Sequence, residues 1–548
     1  MAEENPPPGT LWPALLFVLL AAMAALAWHQ RFVTDDAFIS FRYARNLVEG
    51  QGLVWNPGER VEGYTNFLWT IILSVPFVLG LDPVHFCFAV GPVLAAVTLL
   101  LVSRISFALL PSWPLSLLAV LLVGTNPSFA AWATGGLETQ LLTCVQTAAL
   151  WLLIVSLRRD EPRIGACALL SVLAAAALMI RLDSVVAIGV VMLAAAADVL
   201  RRSGSRRRAG MLLAALCAPA ALLLGGWFIW KTAYYGGVLP NTYYAKRGGA
   251  AFWPAGLTYL RAYFQSYLLA PFLILTGFAC RRLMKQWPLA AVTLPAMLCA
   301  HYLYVACVGG DFMEFRMLVP ALPVLYLLIV WATFGWVRRP AFRAALIVLL
   351  LAGAVHHARL FAYTHGIETV SGLESHLYHP AGDWVGVGRA LGRALPGSPD
   401  VSIAVTAAGA IPYYSRLPSI DMLGLNDPWV ARHGIEVRPQ PGHTRLAPLG
   451  YLVGRGCRLV VAHPWVARAS PAARTSYAYP ELARFRFLLD VRPVELPPDA
   501  SILEIPLDET RVVVVLYLTP HPAVEALIQA GRWRRFSIAR EAAGTPSG

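Results

Sequence analysis

Charge is scarce in this sequence. Asp, Glu, Lys and Arg make up 14% of its 548 residues, well below the roughly 25% of an ordinary water-soluble domain. Cysteine is scarce as well. Of the eight, seven (Cys87, Cys144, Cys167, Cys217, Cys280, Cys299 and Cys307) lie inside apolar runs, where the thiol behaves as a small hydrophobe. No CxxC pair occurs, which leaves neither a zinc site nor a disulfide framework to organise the fold. No glycine-rich phosphate-binding fingerprint is present, which removes the soluble nucleotide-binding folds. The opening MAEENPPP carries no Lys or Arg ahead of its apolar run. The run Leu11–Trp28 therefore reads as a retained anchor rather than a cleavable signal.

What is abundant is hydrocarbon. Hydrophobic residues make up 57% of the chain, and the mean hydropathy is +0.59. Apolar runs recur near 11–28, 67–81, 84–110, 114–134, 137–157, 164–180, 184–200, 211–230, 263–280, 287–307, 317–337 and 343–358, each near the length that crosses a bilayer. The net charge of +13 sits in Arg clusters between runs, at Arg158/Arg159, Arg201–Arg208, Arg281/Arg282 and Arg338/Arg339. That is the positive-inside pattern, not a nucleic-acid surface. The expected fold is a polytopic α-helical membrane protein with 11 to 13 transmembrane helices over residues 1–360. The 67–81 run, short and carrying Pro76, is the candidate for incomplete crossing. After residue 360 the runs shorten to strand length, as in VSIAVTAAGAIPYYS (401–415), RLVVAHP (458–464) and RVVVVLYLTP (511–520). They predict an extracytoplasmic α/β domain over 361–548.

Charge alternation places five polar clusters on the face away from the Arg-rich loops. The first, in the loop 29–66, is TDDAFISFRYARNLVEG. Thr34 is the expected helix cap, and Asp35 and Asp36 fall in the first turn, where negative charge suits the helix dipole. Phe38, Phe41, Ala44 and Val48 then line one face and Arg42, Arg45, Asn46 and Glu49 the other, which predicts an amphipathic helix lying at the interface. Capping alone accounts for the Asp pair. A carboxylate at the bilayer edge also suits a general base reaching for a hydroxyl, and because neighbouring side chains diverge on a helix, only one of the pair is expected to face a site. The second cluster, TGGLET, offers Glu138. The third, IRLDS, offers Arg181 with Asp183, readable as a local ion pair. The fourth, YYGGVLPNTYYAKRGG, offers Asn241, Tyr244, Lys246 and Arg247, readable as an interfacial belt or as cations for a lipid phosphate. The fifth, GGDFMEFRMLVPALP, offers Asp311, Glu314 and Arg316. Ionisable groups this close to hydrocarbon point to function unless they are paired.

The stretches TDDAFISFRYARNLVEGQGLVWNPGERVEGYTNFLW, GGLET, LPNTYYAK and GGDFMEFRMLVPALP resemble the polytopic glycosyltransferases of the GT-C superfamily. Within it they resemble the actinobacterial terminal β-(1→2) arabinofuranosyltransferases. The resemblance implies a polyprenyl-phosphate-linked sugar donor, transfer with inversion on the extracytoplasmic face of a bacterial inner membrane, and a catalytic base at Asp36 or Asp35. It also implies a glycan, glycolipid or protein acceptor, with membrane lipids but no nucleic acid as partners. Arg42, Glu138, Arg181, Asn241, Tyr244, Lys246, Asp311 and Arg316 are then the expected residues for substrate and lipid phosphate. No cofactor is required. A divalent metal on Asp36, Glu138 and Asp311 stays open. The alternative is a lipid-linked sugar flippase, which would carry polar residues at mid-membrane depth; the runs here are nearly free of them.

Overall fold

A computed structural model describes residues 11–246, 252–437, 444–484 and 495–539. Among these, eight helices are long and apolar enough to cross a membrane: Leu11–His29, Pro83–Leu109, Thr139–Leu157, Leu182–Arg202, Arg206–Tyr235, Pro288–Val308, Arg316–Phe334 and Pro340–Leu360. Three further apolar helices are shorter, at Phe67–Val78, Trp113–Gly124 and Ile164–Ile180. The first of these is broken at Leu73 into Phe67–Ile72 and Ser74–Val78. Pro76 has no N–H to give the carbonyl four residues back, so the helix cannot run through. The 114–134 run, expected as one segment, is likewise divided. Asn126 accepts from the Phe129 amide and Pro127 opens a new turn, so a second helix, Pro127–Ala131, starts after a break.

Beyond Leu360 the chain forms two short helices, Val370–Tyr378 and Trp384–Ala394, and then a sheet. Its strands are β1 (Ile403–Val405), β2 (Ser419–Asp421), β5 (Leu459–Arg468), β6 (Ser476–Ala478), β7 (Ser501–Pro506), β8 (Arg511–Tyr517) and β9 (Arg534–Ala539). The pair β3 (Ile435–Glu436) and β4 (Arg445–Leu446) stands apart. The order is β2-β1-β5-β8-β7-β9-β6, parallel at β2-β1-β5 and β9-β6 and antiparallel between. β8 reads RVVVVLY because both its faces are covered. Val513 and Val515 join the core shared with the helices, and Val512, Val514 and Leu516 join a second core on the far side.

The helix Asp35–Val48 departs from expectation. It is not an interfacial helix with a wet polar face: Arg42, Arg45 and Asn46 are as buried as Phe38 and Phe41. The α/β region sits on its polar side. Phe38 packs against Tyr413 and Tyr414 with ring centroids 5.4 and 5.5 Å away. Thr34 does precede the helix, but its hydroxyl donates to the Gly135 carbonyl at 3.3 Å instead of capping. That contact brings the TGGLET turn onto the helix. Gly136, with φ +81°, packs so closely that an added Cβ would lie 2.6 Å from the Ala37 methyl.

Candidate functional site

Two sets of polar side chains emerge at the end of the helix bundle that carries the sheet. One set stitches the bundle to the α/β region. Arg42 donates from Nε to the Trp55 carbonyl at 2.7 Å and from its terminal nitrogens to Asn56 Oδ1 at 3.0 Å, the Leu417 carbonyl at 2.9 Å and the Pro412 carbonyl. The expectation that Arg42 meets a lipid phosphate is thereby corrected, because its donors are taken by backbone carbonyls of both regions. Asn241 donates to the Gly424 and Leu425 carbonyls at 2.8 and 3.0 Å, and Tyr244 lies under the Arg432 guanidinium at 4.2 Å. Both belong to this seam rather than to a phosphate site. Glu314 joins the seam through His357 Nε2 at 2.8 Å and the Val370 amide at 2.9 Å.

Asp35 is the seam's most telling member. Its two carboxylate oxygens accept from the Gly409 and Ala410 amides at 3.0 and 2.7 Å, capping the helix Ala410–Ser415 of the α/β region. AAGAIP, a plain strand-to-helix turn in the sequence, is thus where the Asp pair is held. Burial pushes the Asp35 carboxyl up to about 7, against the pull of the Ala410 amide and with a further push from Asp36.

The second set forms a charged recess. Lys246 ends the helix Asn241–Lys246, and the charges of Asp311, Arg316, Asp36 and Arg181 all act on it. Lys246 is exposed as a residue, but the protein packed around its ammonium costs it hydration and pulls it below the usual lysine value. Arg316 pairs with Asp311, 2.9 Å from Nε and 2.7 Å from its terminal nitrogen. Backbone geometry sets that pair. Gly309 and Gly310, at φ +92° and +75°, end the preceding helix, and a Cβ on Gly310 would lie 2.5 Å from the Tyr259 ring. Phe315 at φ +41° then turns the chain into the segment that starts with Arg316.

Arg181 bridges two carboxylates: Asp183 through Nε at 2.9 Å and a terminal nitrogen at 2.6 Å, and Glu138 at 2.8 Å. The local pair expected of IRLDS is present, and it also reaches across to TGGLET. Glu138 takes a further bond from Asn66 Nδ2 at 2.9 Å. Burial would raise the Glu138 carboxyl, but Arg181 and Arg316 outweigh it and hold it below the usual range. Asp36, half-buried, is the carboxylate of the pair whose charge acts on both Lys246 and Arg316.

Thus Asp36, Glu138, Arg181, Lys246, Asp311 and Arg316 come together, while Asp35, Arg42, Asn241 and Tyr244 lie in the seam. Arg247 falls outside the described residues. His301 and Tyr304, which sequence reasoning missed, line the same cavity as Glu138, Arg181, Asp183 and Arg316. Tyr304 donates to Asp183 at 3.1 Å, and His301 meets the Met317 carbonyl at 2.7 Å. The only signal for them was polarity inside the otherwise apolar segment 287–307. Also missed was the buried pair Lys231–Glu62 at 2.8 Å, which ties the first loop to the bundle. Among the described residues no three His, Cys, Asp or Glu side chains converge to hold a metal ion, so Asp36, Glu138 and Asp311 do not form the cation site left open above.

Parts of the chain, and its fold, match known proteins. Residues 373–496 match a domain of unknown function (DUF8728). The chain is 28% identical over 278 residues to the terminal β-(1→2)-arabinofuranosyltransferase of Mycobacterium tuberculosis, covering 46% of this chain and 42% of that protein. It is 42% identical over 62 residues to the Corynebacterium glutamicum protein of the same name, covering 11% of this chain and 9% of that one. These matches span less than half the length of the relatives. Among solved structures, ArnT from Cupriavidus metallidurans bound to undecaprenyl phosphate aligns over 93% of this chain and 98% of its own, with a TM-score of 0.52 and 15% identity. The mycobacterial arabinofuranosyltransferase AftD aligns over 92% and 40%, with a TM-score of 0.52 and 14% identity. Over the matched segment the chain is similar to the terminal arabinofuranosyltransferases, and it shares its fold with these solved structures.

Proposed function

We propose that this protein is an inverting glycosyltransferase. It moves a sugar, of which arabinofuranose is the first candidate, from a polyprenyl-phosphate carrier to a glycan, glycolipid or protein acceptor of the cell envelope. The reaction takes place in a bacterial plasma membrane, on the extracytoplasmic face, where the α/β region lies. The observation that carries this reading is the charge cluster in which the half-buried carboxylate of Asp36 acts on two cations, Lys246 and Arg316, at the end of an apolar bundle. The same fold in a protein solved with undecaprenyl phosphate supports it.

The division of labour follows from charge. Asp36 accepts the proton of the acceptor hydroxyl as that oxygen attacks the anomeric carbon. The bond from that carbon to the phosphate oxygen breaks, and the leaving phosphate gains charge that Lys246 and Arg316 stabilise. Asp311 holds the Arg316 guanidinium in place, and Glu138 and Asp183 hold Arg181. Asp35 positions its neighbour by fixing the start of the helix to Gly409 and Ala410. Flippase chemistry is disfavoured because the Asp, Glu, Lys and Arg residues of the eight long apolar helices lie close to helix ends.

The test is transfer in proteoliposomes supplied with a radiolabelled polyprenyl-phosphate arabinofuranose and an arabinofuranosyl oligosaccharide. Wild type transfers label, and Asp36→Asn loses roughly 10²–10⁴-fold in rate, the range for a general base, with its melting temperature unchanged. Wild-type rates in Asp36→Asn would remove the base assignment, and lipid scrambling without transfer would favour the flippase.

A further inference from the structure

A second groove, away from the recess, lies entirely in the α/β region. Its walls are His376 and His379 from the end of the helix Val370–Tyr378 and the turn after it, Trp384 from the next helix, and His463 and Trp465 from β5. His376 stacks on Trp384 with ring centroids 4.7 Å apart and planes 13° from parallel, and His463 stands edge-on to Trp384 at 5.5 Å. Glu368 holds the His376 ring through Nε2 at 2.8 Å. Close packing of a core explains Trp384, which is buried. Trp465 packs in part against the far core and edge-on to Tyr477 at 5.8 Å, yet it and His463 stay half-exposed, and His379 is exposed.

The backbone shapes β5 for this display. Its pairing with β8 slips between Val460 and Trp465, and its pairing with β1 slips at Ala462. Ala462 takes φ +49°, a left-handed conformation costly for a residue with a Cβ. The bulge re-aims AHPW so that an imidazole and an indole two residues apart both line the groove. Among the described residues no such group of side chains is arranged to hold a metal ion, so the three imidazoles are not a metal site. What remains is aromatic faces beside hydrogen-bonding imidazole rings, with no Asp, Glu, Lys or Arg among the lining residues. That chemistry fits a sugar, whose C–H faces stack on rings and whose hydroxyls donate to and accept from imidazoles.

We propose that this groove binds a sugar residue of the acceptor glycan, holding the chain while its end is presented to Asp36. The word acceptor rests on the transferase reading above; sugar binding by the groove does not. Its walls fall within 373–496, the segment shared with the domain of unknown function, to which the groove would give a role.

The experiment uses the full chain in nanodiscs. Titration calorimetry follows binding of an arabinofuranosyl hexasaccharide, and transfer kinetics compare that hexasaccharide with a methyl arabinofuranoside too short to reach the groove. Trp465→Ala and His463→Ala should each weaken hexasaccharide binding about tenfold, the scale of one lost ring contact. They should raise KM for the hexasaccharide to match, leave kcat and the short acceptor unchanged, and melt like wild type. Trp465→Phe should retain most of the affinity. Unchanged hexasaccharide affinity in both alanine variants would overturn the groove. So would an equal rise in KM for both acceptors. Groove-dependent binding without any transfer would sink the transferase reading and leave the groove standing. Transfer indifferent to Trp465 and His463 would do the reverse.

Discussion

Asp35 and Asp36 are adjacent in sequence yet belong to regions of opposite character. In the seam, the named polar groups meet partners of the protein: Asp35 two amides, Arg42 three carbonyls and an amide oxygen, Asn241 two carbonyls. In the recess, opposite charges pair with one another beside the exposed Lys246. The seam spends its polar groups on structure, since a buried donor or acceptor left unmatched is costly. The recess pairs its charges among themselves, Arg316 with Asp311 and Arg181 with Glu138 and Asp183, and sets Lys246 and Asp36 beside them. Proximity to the membrane edge does not separate the two regions; the identity of each group's partner does.

Substitutions break this contrast in opposite directions. Lys246→Met should strike chemistry and leave stability almost untouched. Removing one cation from a preorganised anion site costs roughly 10²-fold in rate, so transfer should collapse in the proteoliposome assay while thermal unfolding in detergent matches wild type. Arg42→Met should do the reverse. It removes the buried guanidinium's bonds to the Trp55, Leu417 and Pro412 carbonyls and to Asn56, for roughly 3 kcal/mol of lost stability. Any transfer lost should track the folded fraction measured by size-exclusion chromatography. Gly409→Ala comes next, because its Cβ would sit 1.8 Å from the Asp35 carbonyl oxygen. Backbone must shift to admit it, at roughly 2 kcal/mol, read as a lowered melting temperature. A Lys246 variant that unfolds, or an Arg42 variant that stays stable but loses transfer, would erase the distinction between the regions.

The sequence carried much of this architecture, for identifiable reasons. Apolar runs and Arg clusters are local patterns, and so are the β-branched runs that became β5 and β8. The five polar clusters were legible because charge is rare in such a chain. Their sorting was not legible. Asp35 finds its amide partners 374 and 375 residues away, and Arg42 meets carbonyls 370 and 375 residues away. No periodicity reports contacts of that separation, so a helix face that reads as amphipathic turned out to be buried under a second region. His301 and Tyr304 escaped for another reason: one polar group in an apolar helix reads as tolerated packing until the cavity it lines is visible. The partial breaks at Leu73 and Asn126 were within reach, because Pro76 and Asn126-Pro127 announce them.

The smallest effect is also the one that couples the two regions. Asp35 is an acid whose folded value, about 7, lies above its ordinary 3.8. The folded protein therefore holds that proton more tightly than the unfolded chain. The stabilisation is complete below pH 4, declines as pH rises and is gone above about pH 7. The loss should amount to roughly 2 kcal/mol, about half the full linkage value because Asp35 is only half-buried. Thermal unfolding from pH 5 to pH 8 should then show a falling melting temperature in wild type and a flatter profile in Asp35→Asn, whose amide oxygen still serves one of the two backbone donors. Asp36 sharpens the test. Its charge is one of the forces raising Asp35, so Asp36→Asn should lower the Asp35 value and move the decline to lower pH without disturbing the cap. A slope that survives in Asp35→Asn belongs to another group. A slope that ignores Asp36→Asn would mean that burial alone sets Asp35 and that the seam and the recess do not feel each other's charge.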